Sequence, residues 1–226
     1  MIGILVGGKG SRIKDFKKIP KPLIKIKNRE ILKWIINIYT KNKLKKFILL
    51  CRSDNLEYFR KFKKKYNKIE IEIVDTGLNS ETGKRISYLK KFINNDKFFY
   101  LTYGDTLADF NSNSCLKKFK NFQILLNIYK KKLDYGMIST FKNVVQNFEE
   151  KQEQNINAGF YIIKKEILDY INYKNISFEK EVLPKFVKKK LVTFNIVKKW
   201  HPMDNKSNYY SIENWVYKNF KKFDFD

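Results

Sequence analysis

Short apolar-rich runs alternating with amphipathic helical stretches constrain this chain's fold more than any other feature. "IGILV" (2–6), "FILLC" (47–51) and "KFFYLTY" (97–103) have strand length, and "IEIEIV" (69–74) alternates with the strand period of two. Between them, "REILKWIINIYTKNK" (29–43) repeats Ile31, Ile35, Ile38 and Tyr39 at helical spacing, with Trp34 beside them. "SDNLEYFRKFKKKY" (53–66) opens on Ser53 and Asp54 as cap candidates and keeps that period through Leu56, Phe59 and Phe62. "TGKRISYLKKFI" (82–93) and "SCLKKFKNF" (114–122) also read as helices. Apolar strands separated by helices predict an α/β fold with a mostly parallel sheet.

The pattern changes beyond residue 123. "ILLNIY" (124–129), "MISTF" (137–141), "NVVQNFE" (143–149) and "GFYIIKK" (159–165) read as strands with little helix between them. "FEKEVLPKFVKKK" (178–190) restores a helix, "LVTFNIV" (191–197) adds a strand, and an amphipathic helix is expected from about Asn205 to Phe220. No repeat or Pro/Gly linker divides the 226 residues, so one domain over 1–226 is expected.

The longest apolar runs are far too short to span a bilayer. Met1 leads straight into a strand with no secretory leader pattern, so no membrane partner and a cytoplasmic location are expected. Cys51 and Cys115 have neither CxxC nor metal spacing, which fits reduced thiols in a reducing compartment. A net charge of +25 suggests a polyanion partner, yet only five of the 48 basic residues are arginine. The lysines lie in short scattered groups such as Lys63–Lys65, Lys130–Lys132 and Lys188–Lys190. A solvated surface explains that spread, and no nucleic-acid partner is expected.

Chemistry concentrates in a few loops. In open α/β sheets ligands bind beyond the carboxyl ends of the strands. "ILVGGKGSR" (4–12) follows the first strand with Gly7, Gly8 and Gly10, which let main-chain N–H groups approach a ligand closely. It is neither the GxxxxGK[ST] phosphate loop nor the GxGxxG dinucleotide fingerprint, whose third glycine is replaced by Ile13. Lys21 sits between two prolines in "PKPLIKI", where stiff backbone makes it a positioned charge. "YGDTLAD" places Gly104 and Asp105 after another strand, with Asp109 further on, and "WHPMDN" brings a distant carboxylate, Asp204.

GGxGSR, PKPL, GDxxxD and NAGFY, in that order, resemble the motifs of the sugar-1-phosphate nucleotidyltransferases, whose usual first motif is LAGGxGTRL. "VDTGLNSETGKRISYLKKFI", "TYGDTLADFN", "INAGFYII", "FEKEVLPKF" and "KWHPMDN" are most similar to the glucose-1-phosphate cytidylyltransferases among them. The resemblance implies a Rossmann-like, mostly parallel mixed sheet flanked by helices. It implies transfer of a cytidylyl group from CTP to a phosphorylated small molecule, with Mg²⁺ held by Asp105 and Asp204. Gly7, Gly8, Gly10, Ser11 and Gly104 then surround the nucleotide. Arg12 meets the β- and γ-phosphates, and Lys21 meets the α-phosphate. Arg12, Lys21 and Asp105 are the catalytic candidates by this resemblance. Ser80 and Arg85 belong to the nucleotide side, while Lys151, Asn157 and Glu179 face the acceptor. His201 stands where the family commonly has glutamine and reads as loop packing.

The departures from the family cluster on the acceptor side. The segment before "VDTG" is short, PPGRFG is replaced around "KKLDYGMI" (131–138), and EKP becomes "EKQ". These changes fall near the acceptor pocket and near candidate subunit contacts of a homo-oligomer. The acceptor is therefore open between glucose 1-phosphate, another sugar phosphate and a non-sugar phosphate such as phosphoglutamine used in capsule modification. UTP or dTTP as donor, or a basic nucleic-acid-binding module, are the competing readings.

Overall fold

The computed structural model describes residues 1–7, 19–150 and 152–223. The first half runs β1 (Ile2–Leu5), a small ladder of β2 (Lys25–Ile26) with β3 (Arg29–Glu30), α1 (Ile31–Lys41), β4 (Lys46–Cys51) and α2 (Leu56–Lys65). It continues through β5 (Glu70–Asp75), α3 (Thr82–Ser87), β6 (Phe98–Tyr103), β7 (Thr106–Ala108) and α4 (Ser112–Phe119). The second half comprises β8 (Ile124–Lys132), β9 (Met137–Phe141), β10 (Val144–Glu149), β11 (Glu153–Lys164) and α5 (Glu166–Ile171). After these come α6 (Leu183–Lys188), β12 (Val192–Val197), β13 (Trp200–Pro202) and α7 (Lys206–Phe223).

Among the described residues, seven strands form one sheet in the order β12-β8-β11-β6-β1-β4-β5. β11 runs antiparallel to both its neighbours, while the pairings β12·β8, β6·β1, β1·β4 and β4·β5 are parallel. The expected mostly parallel mixed sheet is the observed one.

Strand alternation divides the core. Ile2 and Ile4 of β1, Phe47 and Leu49 of β4 and Tyr100 of β6 face the layer built on Ile31, Ile35 and Tyr39 of α1. Leu5, Ile48, Leu50, Phe99 and Leu101 point the other way, onto Ile86, Ile167 and Phe178. Each fully buried Ile, Leu or Phe contributes on the order of 1.5–3 kcal/mol, so both faces are covered by what the alternation exposes.

Two features differ from the sequence expectations. The helix expected over 178–190 begins as a wide π turn, Phe178–Val182, before α6; Pro184, which has no N–H, stands in the first turn of α6. α5 occupies a stretch read as lacking helix. β9 and β10 are strands as read; among the described residues they pair only with each other, and Met137, Ile138, Phe141, Val144, Val145 and Phe148 on them are exposed.

Candidate active site

β6, β1, β4 and β5 bring four loops to one carboxyl edge in that order. Gly7, Lys21, Ser80, Gly104 and Asp105 follow these strands, whereas Asn157 lies on β11, Glu179 in the turn before α6 and Asp204 after β13. Gly8, Gly10, Ser11, Arg12 and Lys151 lie outside the described residues. The others fall into three groups along the edge.

The first group is a cation between two carboxylates. Lys21 opens a short 3-10 turn, Lys21–Leu23, flanked by Pro20 and Pro22. Its Nζ lies 3.3 Å from Asp204 Oδ1 and 3.6 Å from Asp105 Oδ2. The Lys21 side chain is 13% exposed, so the charge is held in a recess rather than waving in solvent. Burial raises the pKa of the Asp105 carboxyl; Lys21 opposes the rise and Asp204 adds to it.

A ladder too short to read from periodicity explains how such distant residues meet. β13 pairs antiparallel with β7, setting Pro202 against Thr106 and Trp200 against Ala108. The Met203 N–H donates to the Asp105 carbonyl at 2.9 Å, which locks the two carboxylate loops together. Asp109 accepts from the N–H groups of Lys198 and Lys199 at 3.0 Å each, so this second aspartate of GDxxxD staples the approach to β13. Gly104 completes the fit. A Cβ there would stand 2.9 Å from Pro22 Cγ and from Val6 Cγ1, so its missing side chain lets the Lys21 turn close onto the end of β6.

The second group lies on the other side of β1. A Cβ on Gly7 would come within 2.1 Å of Arg85 Nη1, because the Arg85 guanidinium packs directly on that bare backbone. Arg85 is buried in the last turn of α3, and its Nε donates to the Ser80 carbonyl at 2.9 Å. Burial first, and then the nearby Arg52 guanidinium, lower its pKa. The Ser80 hydroxyl donates to the Thr76 carbonyl, fixing the turn that aims Arg85 at Gly7. Asp75 ties this turn to the neighbouring loop by accepting from the Gly77 N–H at 2.9 Å and the Ser53 hydroxyl at 2.7 Å.

The third group holds the expected acceptor residues. Glu179 accepts hydrogen bonds from Tyr103, Thr82 and Ser177, and Tyr103 and Tyr161 hydroxyls lie 3.3 Å apart. Asn157 donates to the Tyr161 hydroxyl, while its Oδ1 accepts from the Gly159 N–H at 3.0 Å. Asn157 and Glu179 are therefore ends of one hydrogen-bonded chain. Burial raises the pKa of the Tyr103 hydroxyl and pushes Tyr161 up to about 12, so both remain donors at neutral pH. A cavity of about 130 Å³ adjoins this chain, lined by Tyr103, Asp105, Asn157, Gly159, Trp200 and Asp204 among others. His201, read from the sequence as loop packing, lies against Trp215 with ring centroids 4.9 Å apart and the planes tilted by 34°.

The edge thus carries a cation with two carboxylates beside a polar cavity, and two guanidiniums against a bare glycine. The nucleotidyl transferase family model matches residues 3–216. The chain belongs to that family. A glucose-1-phosphate cytidylyltransferase of Salmonella typhimurium is 27% identical over 89% of this chain and 90% of its own length. A D-glycero-alpha-D-manno-heptose 1-phosphate guanylyltransferase of Campylobacter jejuni is 30% identical over 78% of this chain and 81% of its own. The crystal structure of HddC from Yersinia pseudotuberculosis complexed with GMP-PN shares the fold. Its TM-score is 0.76 at 23% identity, over 95% of this chain and 98% of that one. The family match and the two curated relatives make the chain a nucleotidyltransferase of the sugar-1-phosphate type, and those two relatives differ in the nucleotide they are named for.

Arg52 is the residue the sequence reading missed. It follows β4 and precedes Ser53 and Asp54, which read as helix caps, so nothing in the local pattern marks it as part of a site.

Proposed function

We propose that this nucleotidyltransferase moves the cytidylyl group of CTP onto a phosphorylated small molecule, a sugar 1-phosphate such as glucose 1-phosphate, and releases pyrophosphate. The observation that carries the reading is the Lys21 ammonium held between Asp105 and Asp204 beside a polar cavity. Similarity to a cytidylyltransferase over most of both chains, together with the "VDTGLNSETGKR" stretch, supports CTP as donor.

The attacking group needs no side-chain base, because a phosphate monoester with a second pKa near 6 is already largely dianionic at neutral pH. One of its oxygens attacks the α-phosphorus in line. The bond from that phosphorus to the bridging oxygen breaks, and pyrophosphate leaves with the electron pair. No covalent intermediate on the protein is required. The protein must align the two anions and offset their charge. Lys21 does so by exchanging its carboxylate partners for the α-phosphate. Asp105 and Asp204 would hold Mg²⁺, since two carboxylates converging on one cation are the donor set that this ion shares with substrate phosphates. When bound, the ion supplies charge neutralisation on the triphosphate. Gly7, Gly104, Ser80 and Arg85 serve the nucleotide together with Gly8, Gly10, Ser11 and Arg12. Asn157, Glu179 and Lys151 orient the acceptor.

Pyrophosphate release with CTP, UTP, dTTP, GTP and ATP against a panel of sugar and non-sugar phosphates tests this. The expected result is a kcat/KM for CTP at least roughly tenfold above every other triphosphate. Another triphosphate equal to CTP removes the cytidylyl assignment and leaves the family alone. A non-sugar phosphate that outruns every sugar phosphate moves the acceptor assignment without touching the donor.

A further inference from the structure

We infer that Arg52, fixed by Asp54, reads the nucleobase and sets donor specificity by offering hydrogen-bond donors to a base edge with two adjacent acceptors. Under the cytidylyl reading, on which this inference rests, that edge is O2 and N3 of cytosine.

Position comes first. β1 lies between β6, which leads to Asp105, and β4, which leads to Arg52. Adjacent strands are about 4.8 Å apart, so Asp105 and Arg52 stem from strands roughly 10 Å apart with Gly7 between them. A nucleotide whose phosphates engage the Lys21 end therefore lays its far end over Gly7 toward β4 and β5.

Orientation comes next. Arg52 Nε donates to Asp54 Oδ1 at 3.0 Å and Nη2 donates to Asp54 Oδ2 at 2.7 Å, a two-point clamp that fixes the plane of the guanidinium. Asp54 sits on the loop that Ser53 anchors to Asp75, so the clamp is itself held. Arg52 Cγ would lie 3.2 Å from a Cβ on Gly7, on the same bare surface that Arg85 covers.

An unspent donor completes the case. Arg52 Nη1 is shielded from solvent and has no hydrogen-bond partner among the described residues. A buried guanidinium N–H left unpaired is costly, and this one belongs to a side chain otherwise fixed at both remaining nitrogens. Among the described residues, Arg85 beside it spends only its Nε on protein. The two guanidiniums carry no acceptor at all. Facing a base, they suit adjacent acceptors, as in cytosine O2 and N3 or guanine O6 and N7. They reject the N3–H of uracil or thymine, which would point donor at donor.

The test measures nucleotide affinity and kcat/KM for CTP, UTP, dTTP, GTP and ATP in wild type, Arg52→Gln, Arg52→Lys and Asp54→Asn, with thermal melts confirming folding. In Arg52→Gln the CTP-to-UTP preference is expected to fall by about tenfold, chiefly through loss of CTP. Arg52→Lys keeps the charge but loses the fork, so it too lowers the ratio. Asp54→Asn, which releases a positioning residue's clamp, moves the ratio in the same direction. A uniform loss across all five triphosphates would place Arg52 on the phosphates and overturn the inference. An unchanged ratio with wild-type preference for CTP overturns it while leaving cytidylyl transfer intact. A wild type that prefers GTP ends the cytidylyl reading, and the inference then stands only if the GTP-to-UTP ratio falls in Arg52→Gln. A preference for UTP or dTTP overturns both.

Discussion

At the residue scale, Lys21 and its two carboxylates show how one charge cluster serves both folding and chemistry. Asp204 and Asp105 each balance the recessed Lys21 ammonium, and both carboxylates keep solvent contact, at 46% and 36% side-chain exposure, so neutralising one of them disturbs folding little. The proposed reaction has no such tolerance, because it depends on charge offset at the phosphates. Asp105→Asn or Asp204→Asn is expected to cut turnover by on the order of 100-fold or more, with a nearly unchanged melting temperature. Steady-state pyrophosphate release at saturating Mg²⁺ checks it, and full activity in both variants would end the assignment. These residues were legible in the sequence because prolines flank Lys21 and the aspartates lie in recognisable motifs. Arg52 was not, because a lone arginine before Ser53 and Asp54 reads as the polar start of a helix. Its partner surface, Gly7 with Arg85, exists only once β1, β4 and α3 are assembled.

At the element scale, long strands and helices were readable and the joints between them were not. β1, β4 and β6 announced themselves by apolar runs, and β5 by its alternation. β7 and β13 are three residues each, too few for a period to emerge, yet their ladder is what brings Asp204 to Asp105. β2 and β3 are shorter still, and their role shows in Glu30. This buried carboxylate precedes α1 and accepts from Lys65 Nζ and the Tyr66 hydroxyl at 2.7 Å each, joining the β3–α1 corner to the end of α2. Burial pushes the Glu30 carboxyl upward, but the hydrogen bonds from Lys65 and Tyr66 outweigh it and hold the carboxyl below its ordinary value. A folded-state pKa below the unfolded one gives stabilisation that is present at neutral pH and lost as pH falls through the folded value. Glu30→Gln is thus expected to cost about 1–2 kcal/mol near neutral pH, moderated by the half-exposed Lys65. Denaturant unfolding from pH 7 downward should show the gap closing in acid. A gap that stays constant with pH would mean that packing, not charge, explains the loss.

At the scale of the whole molecule, the net charge of +25 invites a different biology from the one that the site supports. A nucleic-acid reader concentrates its charge where bases or phosphates lie, and interleaves aromatic side chains on which bases stack. Here the lysines are dispersed. Lys63 pairs with Glu72 across α2 and β5, Lys130 with Glu153 across β8 and β11, and Lys90 with Asp169 of α5, all on exposed surface. Several aromatics near lysines, such as Phe62 and Phe186, are buried in the core. Such a surface attracts any polyanion weakly through counterion release, and that attraction falls with the logarithm of salt concentration at about 0.9 per phosphate neutralised. The triphosphate of CTP, by contrast, is to be gripped by positioned groups at one sheet edge. Fluorescence anisotropy with duplex and single-stranded DNA and RNA is therefore expected to show weak, sequence-independent binding at low salt that vanishes near 150 mM, about the physiological ionic strength. CTP affinity over the same range should change far less. Tight, sequence-selective nucleic-acid binding that survives at physiological salt would mean that the charge is a functional surface in its own right, and the donor site would then need a second role to explain it.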